Sequence, residues 1–213
     1  MCIRDSDMPI IDELSISTNT RAVVWEINES INDLESRLVL SEDSLKLLNQ
    51  KQSEIHKVQF LAVRHLIKYL SINPQNLKYD SLGKPFFENN FKISISHSGV
   101  YAAVIVSDTA VGIDIEGIND RILKIKSKYL ETELNYPLEL NTETSLVYWN
   151  IKESVFKAVD KTGIDFKENI LVPPLDMKKN VVKSWYIDDD KIYSFDTHFK
   201  ISKKYTLAYV IKN

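Results

Sequence analysis

Cysteine is almost missing from this chain: Cys2 stands alone among 213 residues. One cysteine excludes an intramolecular disulfide and any multi-cysteine zinc site, and it fits a reducing compartment. Long apolar runs are missing too. The longest candidates, such as Tyr101 to Val106, have the length of a strand and fall far short of the roughly 18 residues of a membrane span. Met1 to Ser6 lack the apolar core of a signal peptide and do not read as the start of a domain, and Cys2 is given no role. Basic excess is absent as well, since the formal net charge is -3, which leaves no field for non-specific nucleic-acid binding. No low-complexity segment, flexible linker or visible sequence repeat occurs. The chain is therefore expected to be cytoplasmic, with neither nucleic acid nor membrane among its partners. What remains is ordinary globular material, 44% hydrophobic and 27% charged. Its length suits one large domain or two small ones sharing a core.

Hydrophobic periodicity sets the elements. Arg21 to Ile27 reads as an early strand, and Ser41 before Glu42 and Asp43 as a helix start. Ile55, Val58, Ala62, Leu66 and Leu70 recur at three- and four-residue steps, predicting an amphipathic helix from about Ser53 to Leu70. It stops before Asn73-Pro74, because the residue before proline avoids helical geometry. After a loop carrying Leu82-Gly83-Lys84-Pro85-Phe86, a strand is expected over Phe91 to Ile95 and a turn over Ser96-His97-Ser98-Gly99. A second strand follows over Val100 to Val106. Ile122 to Leu130 and Thr144 to Asp160 read as helices, and three strands follow at Trp185-Tyr186-Ile187, Lys191 to Phe199 and Lys204 to Ile211. Asp188 to Asp190 read as an acidic hairpin turn. Each half thus offers a helix followed by strands, with a boundary near Asp108.

Val111-Gly112-Ile113-Asp114-Ile115-Glu116 is the most informative stretch. Side chains alternate along a strand, so Asp114 and Glu116 share the face of Gly112 while Val111, Ile113 and Ile115 form an apolar one. Two carboxylates so close repel unless something positive lies between them. A hard divalent cation suits, because Mg²⁺ is usually held by one or two carboxylates and substrate phosphates. The plainer alternative is an acidic, solvated outer face. In Trp149 to Lys157, the residues Trp149, Glu153 and Lys157 are spaced by four and fall on one helix face, which an ordinary surface ion pair would also explain. His97 is flanked by two hydroxyls and a glycine, a setting that lets a phosphate approach closely. By itself it is a surface histidine, and Gly83-Lys84-Pro85 by itself is a turn.

In this order, Gly83-Lys84-Pro85, Ser96-His97-Ser98, Gly112-Ile113-Asp114-Ile115-Glu116 and Trp149-x-x-Lys152-Glu153-Ser154-x-x-Lys157 resemble the motifs of the 4′-phosphopantetheinyl transferases. The resemblance is to the larger, monomeric, surfactin-synthetase-activating type and extends over residues 81 to 157. It implies an α+β fold of two similar α/β subdomains in tandem, related by a pseudo-twofold axis. Each would be a long helix on a small, mostly antiparallel sheet, with the active site at the interface. Residues 1–108 would form the nucleotide side and residues 109–213 the metal-binding and catalytic side.

By the same resemblance, Asp114, Glu116 and Glu153 would hold Mg²⁺, with Mn²⁺ as the alternative, together with the pyrophosphate of coenzyme A. Lys157 and His97 would contact phosphates and take part in catalysis with Glu153, and Lys152 and Ser96, in the same motifs, would also bind coenzyme A. Gly83, Lys84 and Pro85 would cradle the adenine, Arg64, Lys57 and His56 would serve the 3′-phosphate, and Glu133 would support the ligands from behind. Two departures stand out: Ser94 replaces an asparagine common before the Ile-Ser-His-Ser turn, and the N-terminal basic cluster is thinner. The implied reaction moves phosphopantetheine to a serine of an apo acyl or peptidyl carrier protein and releases 3′,5′-ADP, with Glu153 or a metal-bound water as the base. Arg121, Lys124, Lys126 and Lys128 form a basic run that could meet an acidic carrier, or a solvated helix face. The rival functions are a Mg²⁺-dependent phosphohydrolase acting on coenzyme A or nucleotides, and a non-catalytic binder of coenzyme A or carrier protein.

Overall fold

The computed structural model describes residues 10–137, 139–159, 161–188 and 191–213. Cys2, Met1 to Ser6, Asp160 and the tip of the turn at Asp188 to Asp190 lie wholly or partly outside them. The strands fall into two large antiparallel sheets. The first takes β1 (Ile10–Ser15), β2 (Arg21–Glu26), β5 (Lys92–Ser98) and β6 (Tyr101–Ser107) in the order β1-β2-β6-β5. The second takes β7 (Val111–Gly117), β8 (Ile170–Leu171), β9 (Val181–Asp188), β10 (Lys191–Ile201) and β11 (Tyr205–Lys212) in the order β7-β11-β10-β9-β8. A small hairpin pairs β3 (Lys78–Tyr79) with β4 (Pro85–Phe86). Among the described residues, no helix is long and apolar enough to cross a membrane.

Among the described residues, the short or intermediate helices α1 (Ile31–Ser36), α2 (Glu42–Asn49) and α4 (Arg121–Ile125) accompany the long helices α3 (Glu54–Tyr69) and α5 (Thr142–Ala158). Serine and asparagine side chains open several of them as N-caps: Ser41 accepts from the Ser44 N–H and Asn141 from the Thr144 N–H. α3 lies on the first sheet, where Leu61, Leu66 and Ile67 meet Val23, Trp25, Ala102 and Val104. It is buried continuously from Gln59 to Ile67, so it is more enclosed than its apolar spacing predicts, while Ile55 is exposed. α5 covers the second sheet.

A third cluster joins the two sheets. Val111, Ile113 and Ile115 pack with Ala22, Val24, Ala103, Ile105 and Leu207, as the alternation in β7 requires. Two expectations change. Ser96, His97 and Ser98 belong to β5; the turn is only Gly99-Val100, with Gly99 at φ +55°, the left-handed entry that a two-residue hairpin favours. The helix expected over Ile122 to Leu130 ends at Ile125 and continues as a 3-10 turn over Lys126–Lys128. β8 had no sequence signal, being two residues long.

Candidate active site

The junction between the sheets is made by hydroxyls. β5 is the edge of one sheet and β7 the edge of the other, and they run in the same direction with a constant offset of 19 residues. The N–H groups of Ile113, Ile115 and Gly117 donate to Ser94 Oγ (3.1 Å), Ser96 Oγ (3.2 Å) and Ser98 Oγ (3.4 Å). Each of these donors would otherwise be left without a partner at a strand edge buried by the junction. Ser94, read from the sequence as a departure, is thus the first rung of a ladder.

The same serines reach the acids. Ser96 Oγ donates to Asp114 Oδ1 at 2.8 Å and Ser98 Oγ to Glu116 Oε2 at 2.5 Å. From the other side comes α5, which presses directly on Gly112. A Cβ built there would stand 1.8 Å from the Ser154 carbonyl oxygen, so only glycine permits this approach. The acidic face of β7 is therefore not solvated: Asp114 is 3% exposed. α5 brings Lys157 Nζ to 2.6 Å from Asp114 Oδ1 and 3.1 Å from the Ile113 carbonyl, and Asn150 Nδ2 to 2.8 Å from Asp114 Oδ2. The Trp149 side chain also faces Glu116 and favours its charged form. The four-residue spacing of Trp149, Glu153 and Lys157 does turn them all toward the acidic strand.

Electrostatics records the crowding. Burial raises the Glu116 carboxyl above its ordinary value and the charge of Asp114 adds to this, while Ser98 and Lys157 oppose it. Glu153 is pushed up to about 7, first by burial and then by Asp114, with Lys157 opposing and Glu116 adding. His97 is lowered by burial and by the positive charges of Lys157, Lys51 and His56. That places His56, in the first turn of α3, and Lys51, which no motif signalled, in the same electropositive neighbourhood.

Beside this cluster lies a cleft of about 890 Å³, lined by Gly83, Lys84, Pro85, Ile93 and Ile95 on one side and by Phe156, Lys157, Thr162 and Gly163 on the other. Its near wall is a tight turn in which Asp80 Oδ1 accepts from the N–H groups of Leu82 (2.9 Å) and Lys84 (2.8 Å). Gly83 sits at φ +82°, a left-handed conformation other residues rarely adopt. Lys84 Nζ reaches across to the Val159 carbonyl at 3.4 Å.

Other sequence candidates lie elsewhere. Arg64 is 1% exposed; its guanidinium donates to the Phe60 carbonyl and Ser44 Oγ and stacks 3.3 Å over the Phe60 ring. It ties α2 to α3, so the expected 3′-phosphate contact is corrected to a structural one. Lys57 is half-buried in the first turn of α3. Lys152 is likewise corrected. It is wholly buried, donating to the carbonyls of Phe166 (2.8 Å) and Ile170 (2.7 Å) and pairing with Glu133 Oε1 at 2.7 Å. Glu133 therefore stands behind Lys152, and its carboxylate also accepts the N–H groups of Val172 and Glu131. The sequence reading missed Asn150, Thr206 and the roles of Ser94 and Ser98. The period-two serines were a legible signal; the other two carried none.

Among the described residues, no three carboxylate, imidazole or thiol groups converge closely enough to enclose an ion by themselves. Mg²⁺ rarely asks for such a cage, since phosphate oxygens and water complete its shell. Three hard carboxylates, of which Glu116 and Glu153 are raised in proton affinity by the charge of Asp114 and opposed by Lys157, fit a dication that arrives with phosphate.

Fold and site together define a mixed α/β protein with antiparallel sheets, whose junction carries an acidic cluster beside a cleft. Residues 110–210 match the model of the 4′-phosphopantetheinyl transferase superfamily. The chain is 32% identical over 110 residues to 4′-phosphopantetheinyl transferase gsp of Aneurinibacillus migulanus, a match covering 48% of this chain and 46% of that protein. It is 29% identical over 114 residues to 4′-phosphopantetheinyl transferase psf-1 of Bacillus pumilus, covering 49% and 48%. The resemblance carried by the motifs is borne out, and the matched region spans about half the length of these curated relatives.

Proposed function

We propose that the chain transfers the 4′-phosphopantetheine arm of coenzyme A to a serine of an apo acyl or peptidyl carrier protein. The observation that carries this reading is the pairing of Asp114 on β7 with Lys157 on α5, with Glu116 and Glu153 in the same charged neighbourhood and Lys157 lining the Gly83-Lys84-Pro85 cleft. Asp114, Glu116 and Glu153 would hold Mg²⁺, which supplies Lewis-acid neutralisation of phosphate charge when bound. The carrier serine Oγ attacks the β-phosphorus, a new P–O bond forms, and the bond to the bridging oxygen breaks to release 3′,5′-ADP. Lys157 neutralises charge that develops on the phosphate oxygens. Glu153 is the candidate acceptor of the serine proton, through a carboxylate oxygen that the ion does not engage. Lys51 adds positive charge for an anionic ligand, and His97 and His56 offer it imidazole N–H groups. The exposed run Arg121, Lys124, Lys126 and Lys128 offers an acidic carrier a docking charge.

The two halves read as a tandem pseudo-twofold repeat. In β2-β6-β5 and in β7-β11-β10 the first strand pairs with the last and the last with the middle one, and a long helix follows each first strand. Boundaries at 1–108 and 109–213, a cytoplasmic location and a monomer complete the reading. Its test is the intact mass of an apo carrier after incubation with the protein, coenzyme A and Mg²⁺. A gain of one phosphopantetheine supports it. Consumption of coenzyme A with several carriers unmodified indicates a phosphohydrolase, and no consumption a binding module.

A further inference from the structure

Asp114 is pinned by three donors from three residues, and only two of them have a counterpart in the motifs. Ser96 and Lys157 both act on Oδ1. Among the described residues, Oδ2 is met by Asn150 alone, through Nδ2 at 2.8 Å. Asn150 is fully buried in the interior of α5, where asparagine is a poor helix former and an amide is costly unless paired. Its remaining acceptor is used: Thr206 Oγ1 donates to Asn150 Oδ1 at 2.5 Å. Thr206, also fully buried, lies on β11 directly across from Glu116. A carboxylate only accepts, so the amide must turn Nδ2 toward Asp114, and the threonine hydroxyl then holds that orientation.

The torsion that rotates a carboxylate is broad and roughly two-fold, so an aspartate held at one oxygen still swings. Of about four lone-pair positions on the two oxygens, three are taken. Resting on the proposed metal-dependent transfer, we infer that Asn150 and Thr206 are positioning residues. The relay Thr206–Asn150 locks the plane of Asp114 so that its remaining lone pair is presented in one direction, toward an incoming divalent cation. Groups that orient metal ligands in this way typically matter 10–100-fold in metal affinity.

The test is Mn²⁺ binding in the presence of coenzyme A, read from the loss of the free-ion electron paramagnetic resonance signal, with thermal melting alongside. Thr206→Val keeps the shape and removes the hydroxyl, Thr206→Ser restores it, and Asn150→Leu removes the amide. The dissociation constant of Mn²⁺ is expected to rise about tenfold or more in Thr206→Val and Asn150→Leu and to return toward the wild-type value in Thr206→Ser. Wild-type affinity in folded Thr206→Val overturns the inference and leaves the transferase reading standing. Failure of the wild-type protein to bind Mn²⁺ with coenzyme A overturns the metal reading, and the inference with it.

Discussion

Two lysines five residues apart on α5 each meet one carboxylate, and they live in opposite surroundings. Lys152 and Glu133 are 0% and 1% exposed, and every proton of the ammonium has a fixed acceptor. The Lys157 side chain is 25% exposed and Asp114 is buried, at the edge of a cleft, with two crowded carboxylates nearby. Burial pulls Lys152 down while Glu133 holds it up, the balance of a group kept for architecture. An ion pair sealed from solvent cannot exchange partners. One at a cleft mouth can hand its charge to a phosphate.

Removing one partner of the sealed pair should have the largest effect. Lys152→Met leaves Glu133 buried without its counter-charge, at a cost of about 3–5 kcal/mol. Denaturant unfolding should show that loss, and Glu133→Met in the same chain should recover most of it. Lys157→Met inverts the pattern: transfer slows on the order of 10²-fold with melting almost unchanged, measured by initial rates of carrier modification. Gly112→Ala tests what brings both lysines into place. Its Cβ would overlap Ser154, so α5 must lift from β7 at about 1–3 kcal/mol, with lower transfer by the folded fraction.

The smallest effect is a pH slope. Glu153 has a folded value of about 7 against an ordinary 4.5. Between these limits the native state binds more protons than the unfolded one, so stability falls as pH rises through that window. Glu116, raised in the same direction, adds to the slope. Melting of the metal-free protein should decline from about pH 4.5 to 7, and Glu153→Gln should flatten the curve.

The elements that the sequence revealed are those governed by local periodicity. β2, β6, β7, α3 and α5 follow from alternation or helical spacing, and the face of α5 bearing Trp149, Glu153 and Lys157 follows from steps of four. What stayed hidden depends on which polar atoms meet across the chain. Arg64 and Lys152 carry charges that a sequence reading assigns to ligands, yet both are enclosed by carbonyls, a hydroxyl or a carboxylate. Asn150 and Thr206 lie 56 residues apart, and no spacing rule joins them. Gly112 read as a bare surface position because the helix that covers it begins thirty residues later.

The cluster on β7 and α5 is proposed to transfer a group between two molecules rather than hydrolyse one. The most direct measurement is the amount of 3′,5′-ADP released per carrier modified, for the wild-type protein and for Asp114→Ala. One ADP per modified carrier is expected from the wild type, and neither product from a folded Asp114→Ala protein. ADP release with the carrier unmodified, or undiminished modification by Asp114→Ala, would contradict it.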